Sequence, residues 1–314
     1  MISSLQNRRL QAGDTVGIIA PGSPVDRQSL EEGCDGLRAM GYKPVYSESI
    51  LDADGFFAGS VERRVRELHE MFARDDVAAI ICARGGYGSN YLLPYIELDI
   101  VRKHPKIFTG YSDVTTLQTW FHDQAGLVSL HGPMVTKDWS HPGWAGVDLP
   151  SWHNAVGCAA GQTGEGYEID NDAEGLVPGE AEGVLYGGCL SLLAASLGTP
   201  YEIETEGVIL FAEDINTKPY QVDRLLMQLK LGGKLAGVKG IIFGEMLRCA
   251  QTPQQGNTLQ QVIAGIVGDL KIPVAYGLRS GHVSSANITL PVGTRARMAV
   301  RDGLQLNIVE APCR

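Results

Sequence analysis

Gly110-Tyr111-Ser112-Asp113 stands between the apolar run Lys106-Ile107-Phe108-Thr109 and a segment in which Val114, Leu117, Trp120 and Phe121 recur at helical spacing. A serine at such a strand-to-helix turn carries its hydroxyl outward, beside amides whose partial positive charge can hold an anion. Acyl transfer needs that arrangement. It also needs a base, because a serine hydroxyl is hardly ionised at neutral pH. Of the seven histidines, His69 lies on a charged helix and reads as a surface residue, and His104, His122, His141 and His153 sit in polar, loop-like or helix-surface contexts. His131 opens a loop after an apolar strand and is a candidate. His282, in Ser280-Gly281-His282 directly after a strand-like run, is better placed. For the acid that orients the base, Val208-Ile209-Leu210-Phe211-Ala212 is a strongly apolar strand ending in Glu213-Asp214. Two carboxylates there are costly unless partnered. Asp214 or Asn216 would cap the helix containing Val222, Leu225, Leu226 and Leu229. That role does not account for Glu213. Ser112, Glu213, His282 is the chain order of the α/β-hydrolases, yet Val114 stands where the G-x-S-x-G signature places its second glycine.

Arg84-Gly85-Gly86-Tyr87-Gly88 follows another apolar run. It lacks both the Gly-Lys-Ser/Thr ending of a P-loop and the spacing of a dinucleotide fingerprint, so its glycines read as bringing backbone amides close to a substrate oxygen. Gly187-Gly188 reads as a strand-to-helix turn.

These residues need a scaffold. Strand-like runs at 15–20, 44–46, 77–83 and 106–109 alternate with helical patterns at 30–40, 61–73, from Asn90 onward and after Ser112. The alternation predicts a parallel, doubly wound α/β sheet. Such sheets bind ligands beyond the carboxyl ends of their strands, which is where Ser23, Gly85 and Ser112 fall. From 140 to 178 the pattern weakens and acids accumulate, as expected of an interdomain connection. Beyond it, strand candidates at 208–211, 240–243, 274–276 and 298–300 surround helix candidates at 221–231 and 259–270, which suits a smaller, β-rich α+β domain. The boundaries drawn are 1–160, a linker at 161–180, and 181–314.

At 314 residues, 44% hydrophobic and 20% charged, the chain has the composition of a soluble globular protein with room for two domains. Its formal net charge of −10 argues against nucleic acid or an anionic membrane as partner. No apolar run approaches the roughly 20 residues of a membrane span, and residues 1–14 lack the apolar centre of a secretory signal, so the cytoplasm is the expected location. The six cysteines are scattered without a C-x-x-C pair and read as reduced thiols rather than a disulfide frame or zinc site.

Taken in order, Arg84-Gly85-Gly86-Tyr87-Gly88, Gly110-Tyr111-Ser112-Asp113, Phe211-Ala212-Glu213-Asp214 with Tyr220-Gln221-Val222-Asp223-Arg224, and Gly281-His282 with Asn287-Ile288-Thr289-Leu290-Pro291-Val292-Gly293 resemble the LD-carboxypeptidases, the S66 serine peptidases. The opening Gly13-Asp14-Thr15-Val16-Gly17-Ile18-Ile19-Ala20-Pro21 is similar to that family's first strand, and the match covers nearly the whole chain. Thr217 stands where many relatives carry a second glutamate, and Cys189 where asparagine is common. The resemblance implies a flavodoxin-like N-terminal domain bearing the nucleophile Ser112. It implies a C-terminal domain bearing the base His282 and its orienting acid Glu213, with the site at the domain interface. The oxyanion or substrate would rest on the amides of Asp113 and a glycine of the Arg84 loop, Gly86 ahead of Gly85, and Arg84 is a candidate for the substrate's free carboxylate. No metal or organic cofactor is implied. The implied activity is release of the terminal D-alanine from a murein tetrapeptide during cytoplasmic cell-wall recycling, by a homodimer. Two alternatives stand beside it. One is a self-immunity peptidase acting on peptidyl- or aminoacyl-adenylates, with Trp139, Trp144 and Trp152 free to stack on a nucleobase or pack a lid. The other is a non-enzymatic two-domain binder of small ligands.

Overall fold

The computed structural model describes residues 5, 7–157, 166–250 and 256–313. The chain forms two compact units. One comprises Met1–Gly164, Ser285–Gly293 and Ala311–Arg314, the other Glu165–Ser284 and Thr294–Glu310.

In the first unit, β1 (Thr15–Ile19), α1 (Arg27–Ala39), β2 (Lys43–Val45), α2 (Val61–Ala73), β3 (Val77–Cys82), α3 (Leu98–Lys103), β4 (Ile107–Gly110), α4 (Thr115–Ala125), β5 (Ser129–His131) and α5 (Leu149–Ala155) follow in sequence. The strands lie in the order β5-β4-β3-β1-β2, all parallel. That is the flavodoxin-like order, in which the loops after β1 and β3 flank the switch point. β3 is buried at all six positions, as expected for a central strand covered on both faces. The helices carry their own boundary signals. Ser60 caps α2 by accepting from the Arg63 amide, and Gly126 ends α4 in the left-handed region at φ 69°. The expected helix after Asn90 is instead two short 3-10 turns, Ser89–Tyr91 and Leu93–Tyr95, preceding α3. Pro94, which has no amide to donate, stops a longer helix from forming there.

The second unit is one eight-stranded mixed sheet. Its elements are β6 (Tyr167–Ile169), β7 (Glu174–Val177), β8 (Gly179–Cys189), α6 (Leu190–Ala195), β9 (Val208–Glu213), α7 (Pro219–Leu231), β10 (Gly240–Gly244), α8 (Leu259–Val267) and β11 (Val274–Leu278). After β12 (Leu290–Val292), the strands β13 (Arg295–Val300) and β14 (Leu304–Ile308) complete it. The order is β6-β14-β13-β8-β9-β10-β11-β7, with β8 to β11 parallel and the outer strands antiparallel.

Two sequence expectations differ from this. Residues 166–180 are not a bare connection: β6 and β7 are the edge strands of the eight-stranded sheet, and their acids sit where charge discourages further strand pairing. Residues 285–293 belong to the first unit, where β12 pairs antiparallel with β5, His131 opposite Leu290. That pairing joins segments about 160 residues apart, and a three-residue strand leaves no local pattern to announce it.

Candidate active site

In the first unit Ser112 occupies the turn between β4 and α4 with φ 63°. A non-glycine residue in that region costs about 1–2 kcal/mol and persists only where the surroundings enforce it. They do so here. Gly110 lies against the Val114 side chain, which a Cβ would approach to 2.8 Å. Gln118 Nε2 donates to the carbonyls of Gly110 (3.1 Å) and Leu130 (2.8 Å), tying the ends of β4 and β5 together. Asp113, almost fully buried, accepts from the Ser89 amide at 2.7 Å through its carboxylate.

The glycine loop packs directly on this turn. A Cβ on Gly85 would stand 2.7 Å from Ser112 Cβ and 3.1 Å from its Oγ, so only glycine fits. Gly86 has φ 99° and lies against Ser23, whose hydroxyl accepts from the Tyr87 amide at 3.0 Å. Among the described residues no carbonyl accepts from the Gly86 amide. Arg84 is exposed, and its Nη1 donates to Pro24 O at 3.1 Å, so the guanidinium braces the neighbouring loop.

Arg64, which the sequence reading passed over, does more. It is buried on α2 and donates from Nη1 to Pro21 O (2.7 Å) and Gly88 O (2.9 Å), binding the loops after β1 and β3 to each other. Burial pulls the guanidinium below its ordinary pKa. The signal was present: Arg64 falls on the stripe Val65, Leu68, Met71, Phe72, and a charge on a buried helix face requires partners. The carboxylate of Asp113, read only for its amide, is the second omission.

In the second unit β9 ends at Glu213, fully buried and in register with Cys189 of β8. Glu213 Oε2 accepts from the His282 amide at 3.1 Å and lies 2.9 Å from His282 Nδ1, with Oε1 at 3.2 Å. This three-point contact fixes the ring and assigns the proton to Nδ1, leaving Nε2 as the basic nitrogen. A Cβ on Gly244 would meet Glu213 Cβ at 2.5 Å, so β10 also confines the carboxylate.

Asp214 does not cap α7. Its Oδ2 accepts from the Ser191 amide (2.9 Å) and hydroxyl (2.5 Å) at the start of α6, and its Oδ1 from the Ile215 amide (2.8 Å) and Thr217 hydroxyl (2.7 Å). Asn216 is no cap either, lying at φ 57°. α7 instead starts with Pro219, which has no amide to satisfy, while the Lys218 amide donates to Gln221 Oε1 at 2.9 Å. Burial, then the charges of Glu213 and Asp214, push the Cys189 thiol well above its usual pKa, so it stays protonated and is no rival nucleophile. The five described cysteines are buried and in no disulfide, and Cys158 lies outside the described residues. His131 is a buried strand residue, and His69 is half-buried rather than a free surface group, its Nε2 accepting from the Glu97 amide at 3.0 Å. Among the described residues no group of three or more His, Cys, Asp or Glu could hold a metal ion, and no helix is long and apolar enough to cross a membrane.

The probable murein peptide carboxypeptidase of Bacillus subtilis (strain 168) is 39% identical to this chain over 297 residues, covering 93% of the chain and 90% of that protein. Residues 16–132 match the LD-carboxypeptidase N-terminal domain and residues 182–298 the LD-carboxypeptidase C-terminal domain. The chain belongs to the LD-carboxypeptidase family. The crystal structure of muramoyltetrapeptide carboxypeptidase from Oxalobacter formigenes is 31% identical, with a TM-score of 0.82 over 95% of this chain and 99% of that one. The microcin C7 self-immunity protein of Escherichia coli is 27% identical over 315 residues, covering 91% of the chain and 90% of that protein. A wild-type apo structure of the microcin C7 self-immunity protein superposes with a TM-score of 0.88 at 24% identity, over 99% of this chain and 100% of that one, a likeness of fold.

The chain is therefore a hydrolase, which sets aside the non-enzymatic binder. Two of the three tryptophans considered from sequence, Trp139 and Trp152, offer no stacking surface. Trp139 and Trp152 are fully buried in the first unit's core, edge to face at 5.1 Å, and half-buried Trp144 donates Nε1 to Gly36 O at 3.0 Å.

Proposed function

We propose that the protein is a serine LD-carboxypeptidase that releases the terminal D-alanine from murein tetrapeptide. Ser112 Oγ attacks the carbonyl of the scissile bond and its proton passes to His282 Nε2. Glu213, facing Nδ1, stabilises the imidazolium as it forms. The tetrahedral oxyanion rests on the amides of Gly86 and Asp113. Collapse of that intermediate breaks the C–N bond, and His282 returns the proton to the departing amine of D-alanine. Water then enters by the same route, with His282 again as base, and frees the tripeptide from Ser112. Arg84 is the candidate for the substrate's free carboxylate; the bond to Pro24 uses one of its five N–H donors.

The observation that carries this reading is the contact between Glu213 and His282, a buried carboxylate held against the ring nitrogen opposite the one that must act as base. The strained φ of Ser112 and the glycine packed on its hydroxyl support the nucleophile assignment. The test is mass spectrometry after incubation with L-Ala-γ-D-Glu-meso-diaminopimelyl-D-Ala. Loss of one alanine is expected; an intact peptide, with cleavage of a peptidyl-adenylate offered in parallel, would transfer the assignment to the self-immunity class. A homodimer in the cytoplasm completes the proposal, checked by sedimentation equilibrium and cell fractionation.

A further inference from the structure

Asp138 is a buried carboxylate with no part in the proposed acyl transfer. It lies on the π-helical turn Val135–Trp139, which the Thr136 amide ties to Ala83 O, just beyond β3, at 2.9 Å. Its Oδ2 accepts from the Met134 amide at 2.8 Å, and the side chains of Asn287 and Tyr111 donate further hydrogen bonds to the carboxylate. Asn287 is itself fixed. It is fully buried, its backbone amide donates to Gly146 O (3.0 Å), and its carbonyl accepts from the Asp148 amide (3.1 Å). All of these residues belong to the first unit.

Tyr111 immediately precedes Ser112. Its ring is buried against that of His131, centroids 6.0 Å apart, where β5 meets the end of β4 in register. Its carbonyl accepts from the Val114 amide at 3.3 Å and so opens the turn Ser112–Val114. A Cβ on Gly85 would stand 3.1 Å from that same carbonyl. Ser112 is therefore flanked by two anchored neighbours. Asp113 is held through its carboxylate by the Ser89 amide, and Tyr111 is held through its hydroxyl by Asp138. A serine at φ 63° relaxes unless the chain on both sides of it is fixed.

Resting on Ser112 as the nucleophile, we propose that Asp138 is a positioning residue that holds the serine in its left-handed conformation through the Tyr111 hydroxyl. The donors that converge on Asp138 explain why the group is an acid. A carboxylate accepts from the Met134 amide, Asn287 and Tyr111 together, whereas an amide in its place has one acceptor oxygen and turns an NH2 group toward the remaining donors. Burial pushes the Asp138 carboxyl up to about 7 in spite of the bonds it accepts, so the ionised form is kept at a cost to folding. A group that costs stability is expected where it serves the site rather than the fold.

The test uses the full chain and the variants Tyr111→Phe, Asp138→Asn and the two combined, with melting temperature measured for each. A fluorophosphonate, which forms a P–O bond to a reactive serine Oγ as fluoride leaves, reads the nucleophile without any peptide. Labelling of Ser112 is expected to slow about tenfold in each single variant, and kcat for D-alanine release from tetrapeptide to fall with it, while KM stays within about threefold. Both substitutions break one anchor, so the double variant is expected to be about as slow as the slower single one. Labelling within about twofold of the native rate in a folded single variant overturns the proposal, whatever its melting temperature, and so does a double variant slowed by the product of the two effects. If one single variant fails to fold, the other decides. A native protein that is labelled at Ser112 but leaves tetrapeptide intact contradicts the murein-peptide reading, and the labelling rates still decide the role of Asp138. A native protein never labelled at Ser112 contradicts the nucleophile assignment and this proposal with it.

Discussion

Replacing Glu213 by glutamine changes one atom and one charge at the centre of the proposed machinery. In the native arrangement Oε2 serves both the His282 amide and Nδ1, and Oε1 stands 3.2 Å from the same Nδ1. Glutamine has one acceptor and one NH2 group. With its oxygen in the Oε2 position, the NH2 group opposes the Nδ1 proton. With the amide flipped, NH2 opposes the His282 backbone N–H and donates to Nδ1, which moves the ring proton onto Nε2 and blocks the nitrogen that must accept from Ser112. Either way the buried negative charge facing the imidazolium is gone. The equivalent change in serine triads costs about 10^4 in kcat, and a fall of about 10^3 to 10^4 is expected here, or about 4–5.5 kcal/mol of transition-state stabilisation. The assay is steady-state D-alanine release from tetrapeptide, with KM expected to stay within about threefold because no substrate contact is assigned to Glu213. A fall of less than about tenfold in kcat, in a variant that melts like the native protein, would refute the reasoning.

Gly85→Ala places a methyl group 2.7 Å from Ser112 Cβ; displacing the serine by about an ångström should lower kcat/KM about 100-fold, measured on the same substrate with folding checked by circular dichroism. Arg64→Met leaves the buried carbonyls of Pro21 and Gly88 without their donor and should reduce unfolding free energy by about 2–4 kcal/mol in urea titration. Asp138 is buried against the Met134 amide, Asn287, Lys137 and Tyr111, and desolvation raises its carboxyl from 3.8 to about 7 despite those contacts. Between those two values the folded chain holds a proton that the unfolded chain has lost, so this group makes stability fall as pH rises through that window. Asp138→Asn should flatten the decline, and chemical denaturation at pH 5, 6, 7 and 8 would show it.

Much of the first unit was legible because its signals are local. The continuous apolar run of β3 and the helical spacing of α2, with Ser60 before it, state element and boundary in a few residues. The alternation of strands and helices then implied the parallel sheet. β8 was missed because four glycines and alternating glutamates hide it. Those glycines are there for close packing, since a Cβ on Gly183 would meet the Gly207 carbonyl at 2.5 Å and one on Gly187 would collide with the Phe211 carbonyl. β12 and the bonds from Ser191 to Asp214 depend on pairings distant in sequence, which no local window of residues reveals. At the site, the apolar strand that ends in Glu213 pointed to a buried carboxylate in need of a partner, and the structure supplies His282. The Asp113 carboxylate and Arg64 escaped notice because these side chains hold the neighbouring loops in place, a role that depends on where those loops run.

The central claim, that Ser112 is the nucleophile, is tested most directly by the rate of D-alanine release from tetrapeptide in Ser112→Ala, with melting temperature measured alongside. A properly folded variant slowed by about 10^4 or more is the expected result. A folded variant that keeps more than about a hundredth of the native rate would contradict the account.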